Sequence, residues 1–136
     1  MRLSKGYFHN RKLLRELKNV EGRFYPKVED MQEWFIILNE QLFGNKLHPV
    51  TKLRVKKLDN LYGFYGFFPK RSKKYGKTQI TVTNKFPDKK TFVEILAHEM
   101  IHHFQNSYNE PVSHGPSFIC WRENFKIKGI KLYKVT

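Results

Sequence analysis

The chain has 136 residues, of which 40% are hydrophobic and 15% aromatic, and a formal net charge of +14. That length suits one domain with a single core, and the composition excludes a disordered chain. No stretch approaches the roughly 18 apolar residues of a membrane span. The N-terminus lacks the apolar core of a signal peptide, and a single cysteine excludes an internal disulfide.

Residues 1–30 read as a basic N-terminal extension, with a short helix over 10–19 that places Leu13, Leu14 and Leu17 on one side. Gly22 and Pro26 interrupt the chain before the main domain, which is expected over 31–136. A helix over 29–43 is stopped by Gly44-Asn45. Three strands are predicted: 51–58 with alternating Leu53, Val55 and Leu58, then 61–68, then 78–84 with Ile80 and Val82. In the second, Gly63 and Gly66 mark a bulge or a close backbone approach. Its aromatics Phe64, Tyr65, Phe67 and Phe68 suit cross-strand packing or an edge that pairs with an extended peptide.

The charge is uneven. Residues 52–90 carry twelve Lys or Arg against two acids. The densest loop holds Lys70, Arg71, Lys73, Lys74 and Lys77 beside aromatic neighbours. Such a loop can track phosphates by counterion release and offer rings to bases, which points to sequence-nonspecific DNA, single-stranded DNA included. Lysine outnumbers arginine in this region, which argues against base-specific readout.

The run 91–106 reads as one helix, capped by a Thr91/Glu94 box or by Asp88 one turn earlier. It contains His98-Glu99-Met100-Ile101-His102, the zinc-hydrolase helix pattern. At about 100° per residue, His98 and His102 lie about 40° apart, one turn above the other, and both can reach one cation. Glu99 falls beside that cation, placed as a general base on its water. Phe92, Val93, Leu96, Ala97, Met100 and Phe104 form an apolar arc opposite the two histidines. One side is therefore expected to anchor in the core while the other presents the metal ligands. His103 sits at the margin of the arc and reads as a packed histidine.

Pro111 ends this helix, and His114-Gly115-Pro116-Ser117-Phe118 opens another, with Pro116 as its first residue. Phe118, Trp121 and Phe125 suit core packing, and Cys120 a small buried side chain. His114 is the natural third ligand of a site that keeps one position open, and Glu110 competes for that place. Tyr108 and Tyr133 are candidates for a second oxyanion donor.

The pairing of His98-Glu99-x-x-His102 with His114-Gly115-Pro116-x-Phe118 resembles the SprT-like metallopeptidases. Upstream, Trp34 to Leu47 is similar to that family's opening helix and its exit into the first strand. Downstream, Ile130-Lys131-Leu132-Tyr133 is similar to the end of its domain. The resemblance implies a small α+β, zincin-like fold: a helix, a three-stranded antiparallel sheet, and two helices carrying the metal site. It also implies one Zn²⁺ held by His98, His102 and His114, with Glu99 as catalytic acid and base. Where the family usually has an acidic residue after His-Gly-Pro, this chain has Ser117. The cysteine zinc ribbon of many bacterial members has no counterpart, because Cys120 stands alone.

The expected function is a zinc-dependent endopeptidase acting on DNA-associated proteins. The expected location is the cytoplasm: nucleoid-associated in a bacterium, host cytoplasm for a virus. The alternative is a nucleic-acid-binding adaptor whose zinc site is structural or vestigial and which cleaves nothing.

Overall fold

The computed structural model describes residues 5–18, 22–68 and 76–133. Its order is α1 (Lys5–Lys18), α2 (Val28–Phe43), β1 (Lys52–Val55), β2 (Gly63–Phe67), β3 (Thr78–Val82), α3 (Lys89–Ser107), α4 (Pro116–Ile119) and α5 (Arg122–Ile127). This is the expected α+β arrangement. Among the described residues no helix is long and apolar enough to cross a membrane.

The ends of α2 follow from local chemistry. The Asp30 carboxylate accepts the Lys27 backbone N–H at 2.8 Å, satisfying a donor that the first turn leaves unpaired. Gly44 (φ 58°) and Asn45 (φ 62°) then take the left-handed conformation that stops the helix. The Asn39 side chain both accepts from Leu47 N–H (3.1 Å) and donates to Leu47 O (3.3 Å), directing the chain toward the sheet.

The sheet order is β1-β3-β2, with β2 antiparallel to β3 and β1 parallel to it. The expectation of an all-antiparallel sheet is therefore corrected: the sheet is mixed. The reason is spatial order. Two reversals, β1 to β2 and β2 to β3, return β3 to the direction of β1. Because β3 enters between the other two strands, it meets β1 in parallel. Hydrophobic alternation reports which face of a strand is buried, but not which strand sits in the middle.

α3 packs against β2, β3 and α2, and Phe92 through His103 are all buried. It was expected to anchor one side in the core and to present the two histidines on the other. That other side is covered by α4 and by residues 130–133. The cap is Asp88, whose carboxylate accepts Thr91 N–H at 2.7 Å, and not the Thr91/Glu94 box. Glu94 is occupied elsewhere, as described below. α1 lies on α2 and α3 and contributes Leu13, fully buried, to the core. Cys120, expected inside, is exposed, and its thiol donates to Ser117 O.

Gly63 shows why a glycine is needed at the start of β2. A methyl group there would lie 3.0 Å from Thr81 O in β3 and 3.1 Å from the Ile95 side chain in α3, so these neighbours would have to shift by a few tenths of an ångström to admit it. Gly63→Ala is expected to destabilise the protein by about 1–3 kcal/mol, read from the midpoint of urea unfolding. An unchanged midpoint would show that the contact relaxes freely.

Candidate metal centre

α3 places His98 and His102 one turn apart, and the chain returns through 108–115 to bring His114 against them. Gly115 caps α4 and Pro116 occupies its first turn, as the sequence implies. The three Nε2 atoms stand 3.2 Å (His98–His102), 3.3 Å (His102–His114) and 3.2 Å (His98–His114) apart. Two nitrogens bound to one ion at about 2.0–2.1 Å and the tetrahedral angle would be about 3.3 Å apart. The triangle fits a zinc ion. Phe118, fully buried, packs its ring 4.8–5.3 Å from all three imidazoles and floors the cluster.

Hydrogen bonding sets the tautomers. His98 Nδ1 donates to the Tyr133 carbonyl at 2.6 Å. His102 Nδ1 lies 2.8 Å from Gln105 Oε1. That oxygen is an acceptor, since it also takes the Ser113 N–H, while Gln105 Nε2 donates to Ser113 O and Ser117 Oγ. His98 and His102 thus each carry their proton on Nδ1 and turn a bare Nε2 lone pair inward, toward His114 Nε2. Facing lone pairs repel, and a cation is what resolves that repulsion.

Electrostatics agree. His98 is 1% exposed, and burial, with His102 and His114 nearby, lowers its pKa to about 3 against the pull of the Tyr133 carbonyl. Burial lowers His102 as well, against its bond to Gln105. Both are held neutral, the form a metal requires.

Glu99 is 1% exposed, and its carboxylate stands 4.0 Å from His98 Nε2. A cleft of about 300 Å³ opens on this cluster, lined by Phe64, Tyr65, Glu99, His102, Val112, Ser113 and His114. His114 is exposed at its mouth. Glu110 is outside the group of converging ligand atoms, which is His98, His102 and His114 among the described residues. Neither tyrosine considered as an oxyanion donor is available: Tyr108 OH donates to Lys46 O (2.7 Å), and Tyr133 OH to Glu94 Oε1 (3.3 Å). Of the basic loop, Lys70, Arg71, Lys73 and Lys74 lie outside the described residues, and Lys77 is exposed.

Four supports were not anticipated as such. Gln105 ties His102 to the His114 segment. Ser117 stands where the family's acidic residue would be and accepts from Gln105. Tyr133 acts through its main-chain carbonyl. Glu94, 2% exposed, accepts from Lys131 N–H (2.6 Å) and from Tyr133 OH, with Lys90 at 3.8 Å. Its carboxyl is pushed above the usual range by burial. It holds the segment that holds His98. A polar Gln105 one turn beyond His102 was the one legible signal. A main-chain carbonyl leaves none.

His103 is packed, as expected, but it also has a purpose. It is 2% exposed; Nε2 donates to His48 O (2.8 Å), so Nδ1 accepts from Tyr65 OH (2.9 Å), and Asn106 donates to the same phenol (3.0 Å). The Tyr65 phenol, pushed up to about 12 chiefly by burial, keeps its proton. This chain pins β2 to α3 beside the cleft.

Gln105→Ala is expected to weaken zinc binding about 10- to 100-fold in a chelator competition titration. Affinity equal to the parent's would remove Gln105 from the ligand support. In the metal-free protein the depressed His98 pKa has a definite sign. Its stabilisation is complete above about 6.5 and is lost as pH falls toward about 3. Chelator-treated protein should therefore melt at progressively lower temperature below pH 6.5, with the His98 ring still neutral at pH 5 by NMR. A His98 ring protonated at pH 6 would contradict the buried, carbonyl-bonded imidazole.

Comparison with known proteins bears on the same residues. No individual curated protein matches the chain significantly. A family model described as SprT-like family matches residues 31–133, from the end of the first turn of α2 to Tyr133. That stretch contains the three histidines, Glu99 and the carbonyl that orients His98, and the chain belongs to the SprT-like family.

Proposed function

We propose that the protein is a zinc-dependent endopeptidase in which His98, His102 and His114 hold the ion. The observation that carries this reading is a three-histidine cluster with the right spacing, with His98 and His102 in the right tautomer, open on one side to a cleft that Glu99 lines. Structural zinc sites close their sphere with four protein ligands, whereas catalytic ones keep a position free. Bound there, zinc would supply Lewis acidity and a nucleophile at neutral pH.

The chain's own residues divide the remaining work. Glu99 takes the proton of the attacking water and delivers it to the leaving amine. Tyr65 and Phe64 form the β2 wall against which an extended peptide lies, held in place by the His103–Asn106 clamp. Burial of His98 and His102 keeps protons from competing for their Nε2 atoms.

The finer reading is that the peptide belongs to a protein held on DNA. It is supported by the basic charge of residues 52–90, including Lys70, Arg71, Lys73, Lys74 and Lys77. Such a surface raises the local concentration of protein bound to the same polyanion.

Glu99→Gln tests the chemistry. The variant is expected to retain one zinc per chain by elemental analysis and to lose about 10²- to 10⁴-fold in casein digestion. Undiminished digestion would dismiss Glu99 as the base. Zinc-loaded parent protein that cleaves neither casein nor a DNA-bound protein would favour an adaptor with a structural ion.

A further inference from the structure

α1 carries more positive charge than its packing uses. Its inner face is committed: Leu13 and Leu17 are buried, His9 Nδ1 meets Glu40 at 2.7 Å, and Glu16 pairs with Lys89 at 3.3 Å. Gln41 donates to Gly6 O (3.1 Å), Lys128 donates to Asn10 Oδ1 (3.0 Å), and on the flank Lys12 pairs with Glu33. These contacts use the one acid of α1 and both acids of α2 that face it.

On the opposite side Tyr7, Arg11, Leu14, Arg15 and Lys18 fall within an arc of about 100°, with Phe8 at its margin. Arg11, Leu14, Arg15 and Lys18 line a surface depression of about 410 Å³. Phe8 is 56% exposed, Tyr7 42% and Leu14 41%. Arg11 lies over the Tyr7 ring at 5.8 Å and donates to its hydroxyl at 3.2 Å. Among the described residues no carboxylate pairs with Arg11, Arg15 or Lys18.

We propose that this face of α1 binds single-stranded nucleic acid without regard to sequence. Arg11, Arg15 and Lys18 take successive phosphates, roughly one cation per helical turn of about 5.4 Å, and Phe8 with Tyr7 offers rings to bases. The arrangement distinguishes this partner from an anionic membrane. A helix that lies on lipid needs an apolar face of its own opposite the charged one. In α1 that apolar face is spent on the core, and the exposed rings are interleaved with the cations, as a strand with alternating phosphates and bases requires. The family match begins at residue 31, after α1 has ended, so this face is additional to the matched domain. The proposal rests on the nucleic-acid partner named above and not on the peptidase chemistry.

The test uses the full chain and a fluorescein-labelled 25-mer of oligothymidylate, with anisotropy followed against salt. Arg11→Gln, Arg15→Gln and Lys18→Gln are combined in one variant. With about 0.7 of salt slope per phosphate on a single strand, the slope should fall by about 2, and affinity near 0.1 M salt about 10- to 100-fold. Phe8→Ala should weaken binding about fivefold or more through lost stacking. Thermal unfolding and casein digestion should not change, because these side chains are exposed and none of them lines the cleft. Parental affinity and slope in the triple variant would overturn the proposal. So would a loss confined to vesicles containing 30% phosphatidylserine, which would assign the face to lipid. A parallel variant, Lys70→Gln, Arg71→Gln, Lys73→Gln and Lys74→Gln, separates the two nucleic-acid readings: a loss there alone retains the loop and refutes α1. A parent that binds no oligonucleotide refutes both.

Discussion

Three imidazole Nε2 atoms turned toward one point are the constraint on which this structure depends. Their Nε2 atoms crowd one another at 3.2–3.3 Å, and those of His98 and His102, on buried rings, have lost their water. The fold accepts that cost because each ring is fixed by its far nitrogen or by Phe118 beneath it. From this follow the burial of α3 on every side, the return of the chain through 108–115, and the docking of residues 130–133 along the helix.

The partners of the ligands are electrically neutral. His98 bonds to a main-chain carbonyl and His102 to an amide. A carboxylate in either place would raise the basicity of the imidazole and pass negative charge to the ion. An amide orients without that donation, so more of the positive charge remains at the centre. The serine at 117 belongs to the same arrangement: a hydroxyl can accept from the Gln105 amide while that amide still faces His102 with its oxygen. Glu99 lines the cleft, and Glu94 lies one turn before His98 on the same face of α3.

Much of this was legible from residue types and spacing. His98, Glu99 and His102 are readable because helical periodicity converts sequence distance into direction. His114-Gly115-Pro116 is readable because proline and glycine mark where a helix begins. The limits are equally physical. Strand direction follows from turns, but β3 enters the middle of the sheet for reasons of global packing, so parallel pairing with β1 was not visible. A helical wheel separates apolar from polar faces, yet it cannot show that the polar face is covered by chain arriving later. That is how Glu94, read as a cap, became a buried anchor, and how Cys120, read as interior, came out exposed. The hydroxyls of Tyr108 and Tyr133 were plausible by chemistry and excluded by position.

The bond from His98 to the carbonyl of Tyr133 spans 35 residues, and proteins are synthesised from the amino terminus. All three imidazoles therefore leave the ribosome before the group that orients the first of them. Until residues 131–133 dock, His98 can rotate about its own bonds, and Glu94 lacks both the amide and the phenol that justify its burial. The three-histidine centre is therefore completed only after residue 133 has been made, and a nascent chain short of that point carries the histidines without the geometry.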